Sequence, residues 1–140
     1  MVSLITGRKG SGKTKRLIEQ VNKAVEASSG NVVCIEKVPH LTYDIPSSVR
    51  LMETSKDEIE GYEEFYGFLA GILAGNYDIS VIYVDAFLKL VKAEPVELVD
   101  FFAQLERLVA NAQCDLVISF SEDAENVPEI TVTTSGTFIN

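Results

Sequence analysis

The sequence of 140 residues contains no tryptophan, one histidine, two cysteines and four prolines. His40, Cys34 and Cys114 are too few to supply the four protein ligands of a structural zinc site. Each cysteine adjoins an apolar segment of strand length, so we expect two buried free thiols rather than a disulfide. This cysteine usage predicts a reducing compartment, the cytoplasm.

Long hydrophobic runs and positive charge are also scarce. No apolar run approaches the ~20 residues that a membrane-spanning helix needs, and residues 1–5 lack the basic segment and cleavage site of a secretory signal. There are 12 lysines and arginines against 21 acidic residues, which gives a net charge of −9. Such a surface repels phosphate backbones and anionic lipids, so we expect neither a nucleic-acid partner nor membrane insertion.

The remaining composition is typical of a globular protein, with 46% hydrophobic and 24% charged residues. The length corresponds to one domain, and we predict that residues 1–140 form a single domain. Apolar segments of strand length alternate with segments of helical periodicity. Strands are predicted at residues 2–6, 31–35, 79–84 and 116–120, and helices at 14–28, 57–74 and 95–111.

Two regions are less regular. Residues 38–54 contain Pro39 and Pro46, which predict a loop or hairpin around residues 46–48. The tail alternates in polarity on both sides of Ser135 and Gly136, which predicts a C-terminal β-hairpin. Gly61, Gly67 and Gly71, in the second helical segment, predict close packing of that helix on the sheet. The whole order indicates an α/β fold, a three-layer sandwich with a mostly parallel sheet.

A glycine-rich segment follows the first strand and precedes the first helix. It matches the pattern G-x-x-x-x-G-K-[ST] at every fixed position and consists of Gly7, Arg8, Lys9, Gly10, Ser11, Gly12, Lys13 and Thr14. The glycines allow successive backbone N–H groups to surround a phosphate, and the helix adds its positive N-terminus. Five of the 12 basic residues lie between positions 8 and 16 of this acidic chain. The pattern therefore predicts that these eight residues bind a nucleotide.

On this motif the sequence resembles the P-loop NTPase superfamily. A second element of that superfamily is an apolar strand that ends in Asp, and the strand at 79–84 is followed by Asp85. The resemblance implies that Lys13 contacts the β- and γ-phosphates and that Thr14 and Asp85 hold Mg²⁺. The implied ligand is ATP with Mg²⁺.

Several residues distinguish the branches of the superfamily. GTPases place a glycine three residues after the strand Asp, where this chain has Leu88. They also recognise guanine with the motif N-K-x-D, but the only Asn-Lys pair of this sequence lies inside the first predicted helix. Many ATPases place a catalytic Glu directly after the strand Asp, where this chain has Ala86. RecA-like ATPases carry that Glu at the end of the second strand, and Glu36 occupies that place, 23 residues after Lys13. The chain thus resembles the RecA-like branch, which implies that Lys13 and Glu36 are catalytic. The alternative for Glu36 is a solvated carboxylate that pairs with Lys37.

Other polar residues are candidates for roles around this site. In a RecA-like sheet the strand at 116–120 lies between the strands of the P-loop and of Asp85, and Ser119 or Ser121 is a candidate sensor of the γ-phosphate, with placement of the strand end favoured for both. His40 and Tyr43, in the loop after Glu36, are candidates for contact with a ligand, with solvation in the loop favoured for both. Arg50 and Arg107 are candidate arginine fingers for a neighbouring subunit, but no feature of the sequence selects either.

Three functions remain open from the sequence. The first is a slow Mg²⁺-dependent RecA-like ATPase that acts as an oligomer or on a partner protein. The second is a nucleotide-binding switch with little turnover, which needs the P-loop and Asp85 but not Glu36. The third is a small-molecule kinase, because the layout is also similar to the nucleotide core of thymidine kinases. Ala86 and the lack of a Cys-x-x-Cys motif disfavour that third function.

Overall fold

A computed structural model describes residues 1–7, 10, 12–55, 59–91 and 98–120, and the backbone of residues 138–139. Its centre is a six-stranded sheet in the order β3-β2-β4-β5-β1-β6, and every described strand pairing is parallel. The strands are β1 (Val2–Thr6), β2 (Asn31–Glu36), β3 (Arg50–Glu53), β4 (Ile79–Val84), β5 (Asp115–Phe120) and β6 (Phe138–Ile139). The predicted α/β fold with a mostly parallel sheet is confirmed.

The strand order places the carboxyl ends of β1, β2, β4 and β5 at one edge of the sheet. β5 lies between β1 and β4, as expected for a RecA-like sheet. Ile35 pairs with Val84, so the residues after them, Glu36 and Asp85, are neighbours at that edge. In open α/β sheets, ligands bind outside the carboxyl ends of the strands.

Helices cover both faces of the sheet and complete three layers. They are α1 (Lys13–Ala27), α2 (Tyr62–Gly75), the short α3 (Phe87–Leu90) and α4 (Val99–Ala112). The first face packs against α1 through Leu17 and Val21. The second face packs against α2, α3 and α4 and is rich in aromatic rings, with Phe87 in ring contact with Phe65, Phe101, Phe102 and Phe120.

The region between β2 and α2 contains the predicted loop but not the hairpin offered as its alternative. A loop is present at residues 46–48, but the strand after it, β3, pairs in parallel with β2, so there is no hairpin. The connection between the two strands crosses the α1 face of the sheet, where Leu41 and Val49 are buried. These two apolar anchors are too widely spaced to produce a periodic signal, so the sequence pattern does not reveal the parallel pairing.

The second helix also differs from its prediction. α2 begins at Tyr62 rather than at residue 57. The expectation of close packing at Gly61, Gly67 and Gly71 is wrong, because a Cβ at any of them meets no atom within 4 Å. Gly67 and Gly71 instead line an open groove of about 640 Å³ beside β3, together with Arg50.

The last predicted helix and the C-terminal segment are described only in part. α4 begins at Val99, and residues 95–97, which are predicted to form the start of this helix, lie outside the described part. The first strand and the turn of the predicted C-terminal hairpin also lie outside it. The described residues of that segment, Phe138–Ile139, pair in parallel with β1, so the hairpin itself stays a prediction.

Candidate functional site

The glycine-rich loop connects β1 to α1 through left-handed backbone. Gly10 has φ 84° and Gly12 has φ 90°, and both lie in a region that residues with a side chain rarely adopt. Space is not the constraint there, because a Cβ at either position meets no atom within 4 Å. The conformation itself therefore requires glycine at these two positions of the motif. Arg8, Lys9 and Ser11, which the motif also predicts to bind nucleotide, lie outside the described residues.

Lys13 is the first residue of α1 and is 8% exposed. Burial lowers the pKa of Lys13; the carboxylate of Asp85 raises it, and the positive charges of Arg16 and Lys89 lower it further. Lys13 is a partly desolvated cation at a helix N-terminus with two more cations nearby, and this concentration of positive charge favours binding of an anion. These features agree with the predicted role of Lys13 toward a phosphate.

Asp85 follows β4 and lies opposite the start of α1. The hydroxyl of Thr14 donates to Asp85, with its Oγ1 at 3.2 Å from Oδ1 and 3.5 Å from Oδ2. The carboxylate is 2% exposed and receives a further hydrogen bond from Ser119, whose Oγ lies 3.0 Å from Oδ1. A hydroxyl and a carboxylate in contact are the oxygen donors that Mg²⁺ binds beside nucleotide phosphates, so the residues present fit this cation.

Ser119 joins β5 to the turn after β4. Its hydroxyl donates to Asp85 and accepts a hydrogen bond of 2.6 Å from the backbone N–H of Ala86. Ala86 has φ 51°, a left-handed conformation that is uncommon for alanine, and this turn leads directly into α3. Ser119 therefore orients Asp85 and stabilises the turn behind it. The alternative sensor, Ser121, lies outside the described residues.

Glu36 ends β2 and is completely buried. Its Oε1 accepts hydrogen bonds from the backbone N–H groups of His40, at 2.9 Å, and Leu41, at 3.3 Å. Its Oε2 is buried and has no hydrogen-bond partner within the described part of the chain. Glu36 is thus neither solvated nor, among the described residues, paired with Lys37, which is the alternative that the sequence offers for it.

His40 is the functional candidate that sequence reasoning underrates. Its Nε2 lies 3.1 Å from Asp85 Oδ2, and its Nδ1 lies 3.0 Å from Glu36 Oε1. The expectation of a solvated loop residue is confirmed in part, since the side chain is 48% exposed, but its ring also contacts both carboxylates. The signal available in the sequence is a lone histidine four residues after a strand-end glutamate.

A cavity of about 510 Å³ opens between the loop, α1 and the turn after β4. It brings the predicted loop residues together with the predicted magnesium ligands, since it is lined by Gly10, Gly12, Lys13, Thr14, Asp85, Ala86, Leu88, Lys89 and Ser119. Glu36 is not among the described residues that line this cavity; the ring of His40 connects it to Asp85, which does line it. Arg50 lines the separate groove beside β3.

Three further features of the described residues concern metal-binding clusters, membrane-spanning helices and the two cysteines. Over the described ranges, no group of three or more His, Cys, Asp or Glu side chains is arranged to hold a metal ion. No helix within the same ranges has both the length and the apolarity to cross a membrane. Both cysteines are buried free thiols, as predicted, and burial raises the pKa of Cys34 to about 12 and that of Cys114 to about 11.

Comparison with known proteins adds information about the fold. No family model matches the sequence, and no curated protein matches it. Among solved structures, the flagellar accessory protein FlaH from Methanocaldococcus jannaschii is similar with a TM-score of 0.67 and 12% sequence identity. The superposition covers 97% of this chain and 69% of FlaH. At this identity the likeness bears on the fold alone, and together with the strand order it supports a RecA-like P-loop fold for this chain.

Proposed function

We propose that this protein binds ATP with Mg²⁺ in the cavity above the glycine-rich loop and slowly hydrolyses it to ADP and phosphate. One observation carries the proposal most directly. The hydroxyl of Thr14 and the carboxylate of Asp85, which are 71 positions apart in the sequence, are in hydrogen-bond contact at a cavity that the loop also lines.

Each part of the cavity has a role in this proposal. The backbone N–H groups of the loop and of the first turn of α1 surround the phosphates. Lys13 neutralises charge that develops on the transferred phosphoryl group, and its burial strengthens that interaction. Thr14 and Asp85 would hold Mg²⁺, which when bound neutralises the β- and γ-phosphate oxygens. Adenine is the proposed base because the guanine-reading motif is missing from the sequence.

Glu36 is proposed to orient the attacking water. Its Oε1 is held by two backbone N–H groups, which leaves Oε2 to accept a proton or a hydrogen bond from water. Because Glu36 is completely buried and lines no part of the cavity, a rearrangement must precede its use. That requirement supports slow turnover.

The burial of Glu36 also favours a second candidate, a nucleotide-dependent switch with little hydrolysis. In that function the bound nucleotide changes the affinity for a partner, and Glu36 serves to order the loop after β2 through its contacts with His40 and Leu41. Under either candidate we propose a cytoplasmic protein that acts with a partner protein or a second copy, which supplies any arginine finger.

Phosphate release from MgATP at high protein concentration tests the proposed hydrolysis. We expect release from the wild type, loss of release in Lys13→Ala, and retention in Lys15→Ala, which removes the same charge from an exposed position of the same helix turn. Glu36→Gln should retain binding and lose release. Equal release from Lys13→Ala and Lys15→Ala would reject the proposed site, and binding without release would favour the switch.

A further inference from the structure

The imidazole of His40 joins the two strand-end carboxylates of the site. Nε2 is 3.1 Å from Asp85 Oδ2, and Nδ1 is 3.0 Å from Glu36 Oε1 and 3.2 Å from the carbonyl oxygen of Val38. A single side chain thus contacts both the proposed magnesium ligand and the proposed water-orienting carboxylate. The functions proposed above for Asp85 and Glu36 include no role for His40.

The two oxygens of Asp85 are held differently. Oδ1 receives hydrogen bonds from the hydroxyls of Ser119, at 3.0 Å, and Thr14, at 3.2 Å. Oδ2 has its shortest described contact with His40, and its contact with Thr14 is longer, at 3.5 Å. Moving the His40 ring therefore removes the shortest described contact of Oδ2 and leaves the hydrogen bond from Ser119 to Oδ1 intact.

The surroundings of His40 allow the ring to move without opening the core. Val38, Pro39 and His40 are exposed, whereas Leu41 is completely buried and anchors the end of this loop. The backbone N–H groups of His40 and Leu41 remain on Glu36 Oε1 when only the ring rotates. A rotation of the side chain thus changes what Glu36 contacts while its backbone partners stay in place.

Building on the proposed function, we infer that His40 is a positioning residue that couples magnesium binding at Asp85 to the state of Glu36. With Mg²⁺ and nucleotide bound at Thr14 and Asp85, the His40 ring would lose its contact with Asp85 Oδ2. Because the same ring lies on Glu36 Oε1, its departure removes one of the contacts that hold this carboxylate and frees it to turn its Oε2 toward water. Coupling of this kind is reciprocal, so a ring held on Glu36 weakens magnesium binding.

The single histidine of the sequence permits a direct spectroscopic test. The full chain is labelled with ¹⁵N-histidine, and the ring nitrogen signals are recorded at one fixed pH without ligand, with ADP in EDTA, and with MgADP. We expect a change in both ring signals with MgADP and little change with ADP in EDTA. Melting curves of the same samples report whether nucleotide binds.

The melting shift and the ring signals together distinguish failure of the inference about His40 from failure of the proposed function. A melting shift with MgADP and unchanged ring signals would overturn the role of His40 and leave the proposed function standing. Absence of both the melting shift and the ring change would overturn both. A ring change that ADP in EDTA produces equally would also overturn the inference, since it would not depend on the metal.

A substitution provides a second test with effects in opposite directions. In His40→Ala, the Mg²⁺ concentration for half-maximal ADP binding should fall about 5-fold, because the competing contact on Asp85 is gone. The rate of phosphate release at saturating MgATP should rise, because no ring contact has to leave Glu36 before its Oε2 can turn toward water. Tyr43→Ala, which removes a 99% exposed side chain near His40 in the same connection, is the matched control and should change neither. Weaker magnesium binding in His40→Ala would contradict the inference.

Discussion

The ends of β4 and β2 lie side by side at the same edge of the sheet, and each carries one buried carboxylate. Asp85 contacts residues from three other parts of the chain, namely Thr14 on α1, Ser119 on β5 and His40 after β2. The carboxylate of Glu36 has hydrogen-bond and ion-pair contacts only with its own following loop among the residues that the structure describes, and one of its oxygens has no hydrogen-bond partner there.

This difference separates a preformed site from one that needs a rearrangement. Asp85 is oriented by hydroxyl groups and lines the cavity, so it is already placed for a cation beside a phosphate. Glu36 is held by backbone N–H groups and is covered, so it depends on a change in the loop that carries His40. In the proposed function, the end of β4 is assigned to nucleotide binding, and the end of β2 is assigned to the hydrolytic step after binding.

The largest expected difference between Asp85 and Glu36 is in the effect of Mg²⁺ on ATP binding. Asp85→Asn removes the charge that attracts the cation, so Mg²⁺ should no longer tighten ATP binding, a loss of at least about tenfold in the Mg²⁺ effect. Glu36→Gln should leave the Mg²⁺ effect within about twofold of the wild type. Isothermal titration calorimetry with and without Mg²⁺ measures both. Equal loss in the two variants would mean that the two carboxylates share one role.

The next effect concerns folding stability at the end of β2. Glu36→Ala leaves the N–H groups of His40 and Leu41 without their acceptor, and we expect a loss of about 2 kcal/mol in the free energy of unfolding. Glu36→Gln keeps a carbonyl acceptor and should lose less. Urea denaturation of the two variants measures the difference, and an undiminished stability of Glu36→Ala would show that the carboxylate does not order this loop.

The smallest effects compare two buried hydroxyl groups. The hydroxyl of Ser119 has two hydrogen-bond partners, and Ser119→Ala should destabilise the protein by about 1.5 kcal/mol because one partner is a carboxylate. Thr54 is completely buried and its Oγ1 has no hydrogen-bond partner in the described ranges, so Thr54→Val should stabilise it by about 1 kcal/mol. Denaturation midpoints of the two variants should therefore move in opposite directions. A loss of stability in Thr54→Val would indicate that its hydroxyl has a partner.

The parts of the site that could be predicted from sequence are those with a local pattern. The loop motif lies between a short apolar strand and an amphipathic helix, and its glycines are required by backbone conformation at Gly10 and Gly12. Asp85 is marked by the apolar strand before it. The position of β5 between β1 and β4 was implied by the resemblance and is confirmed by the strand order.

The remaining parts depend on contacts between distant segments. The contact between His40 and Asp85 spans 45 positions, and no local pattern in the sequence indicates it. The parallel pairing of β3 could not be predicted because a strand of four residues at the sheet edge has little periodicity. The open face of Gly67 and Gly71 could not be foreseen either, since glycine in a helix signals close packing or a free groove equally.

The most direct test of the central claim is the melting temperature of the protein with and without saturating MgATP, in the wild type, Lys13→Ala and Lys15→Ala. Ligand at about 100 times its Kd stabilises the folded state by about 2.7 kcal/mol. We expect the melting temperature of the wild type and of Lys15→Ala to rise by the amount that corresponds to this stabilisation, and that of Lys13→Ala to stay unchanged. An equal shift in Lys13→Ala, or no shift in the wild type, would contradict nucleotide binding at the glycine-rich loop.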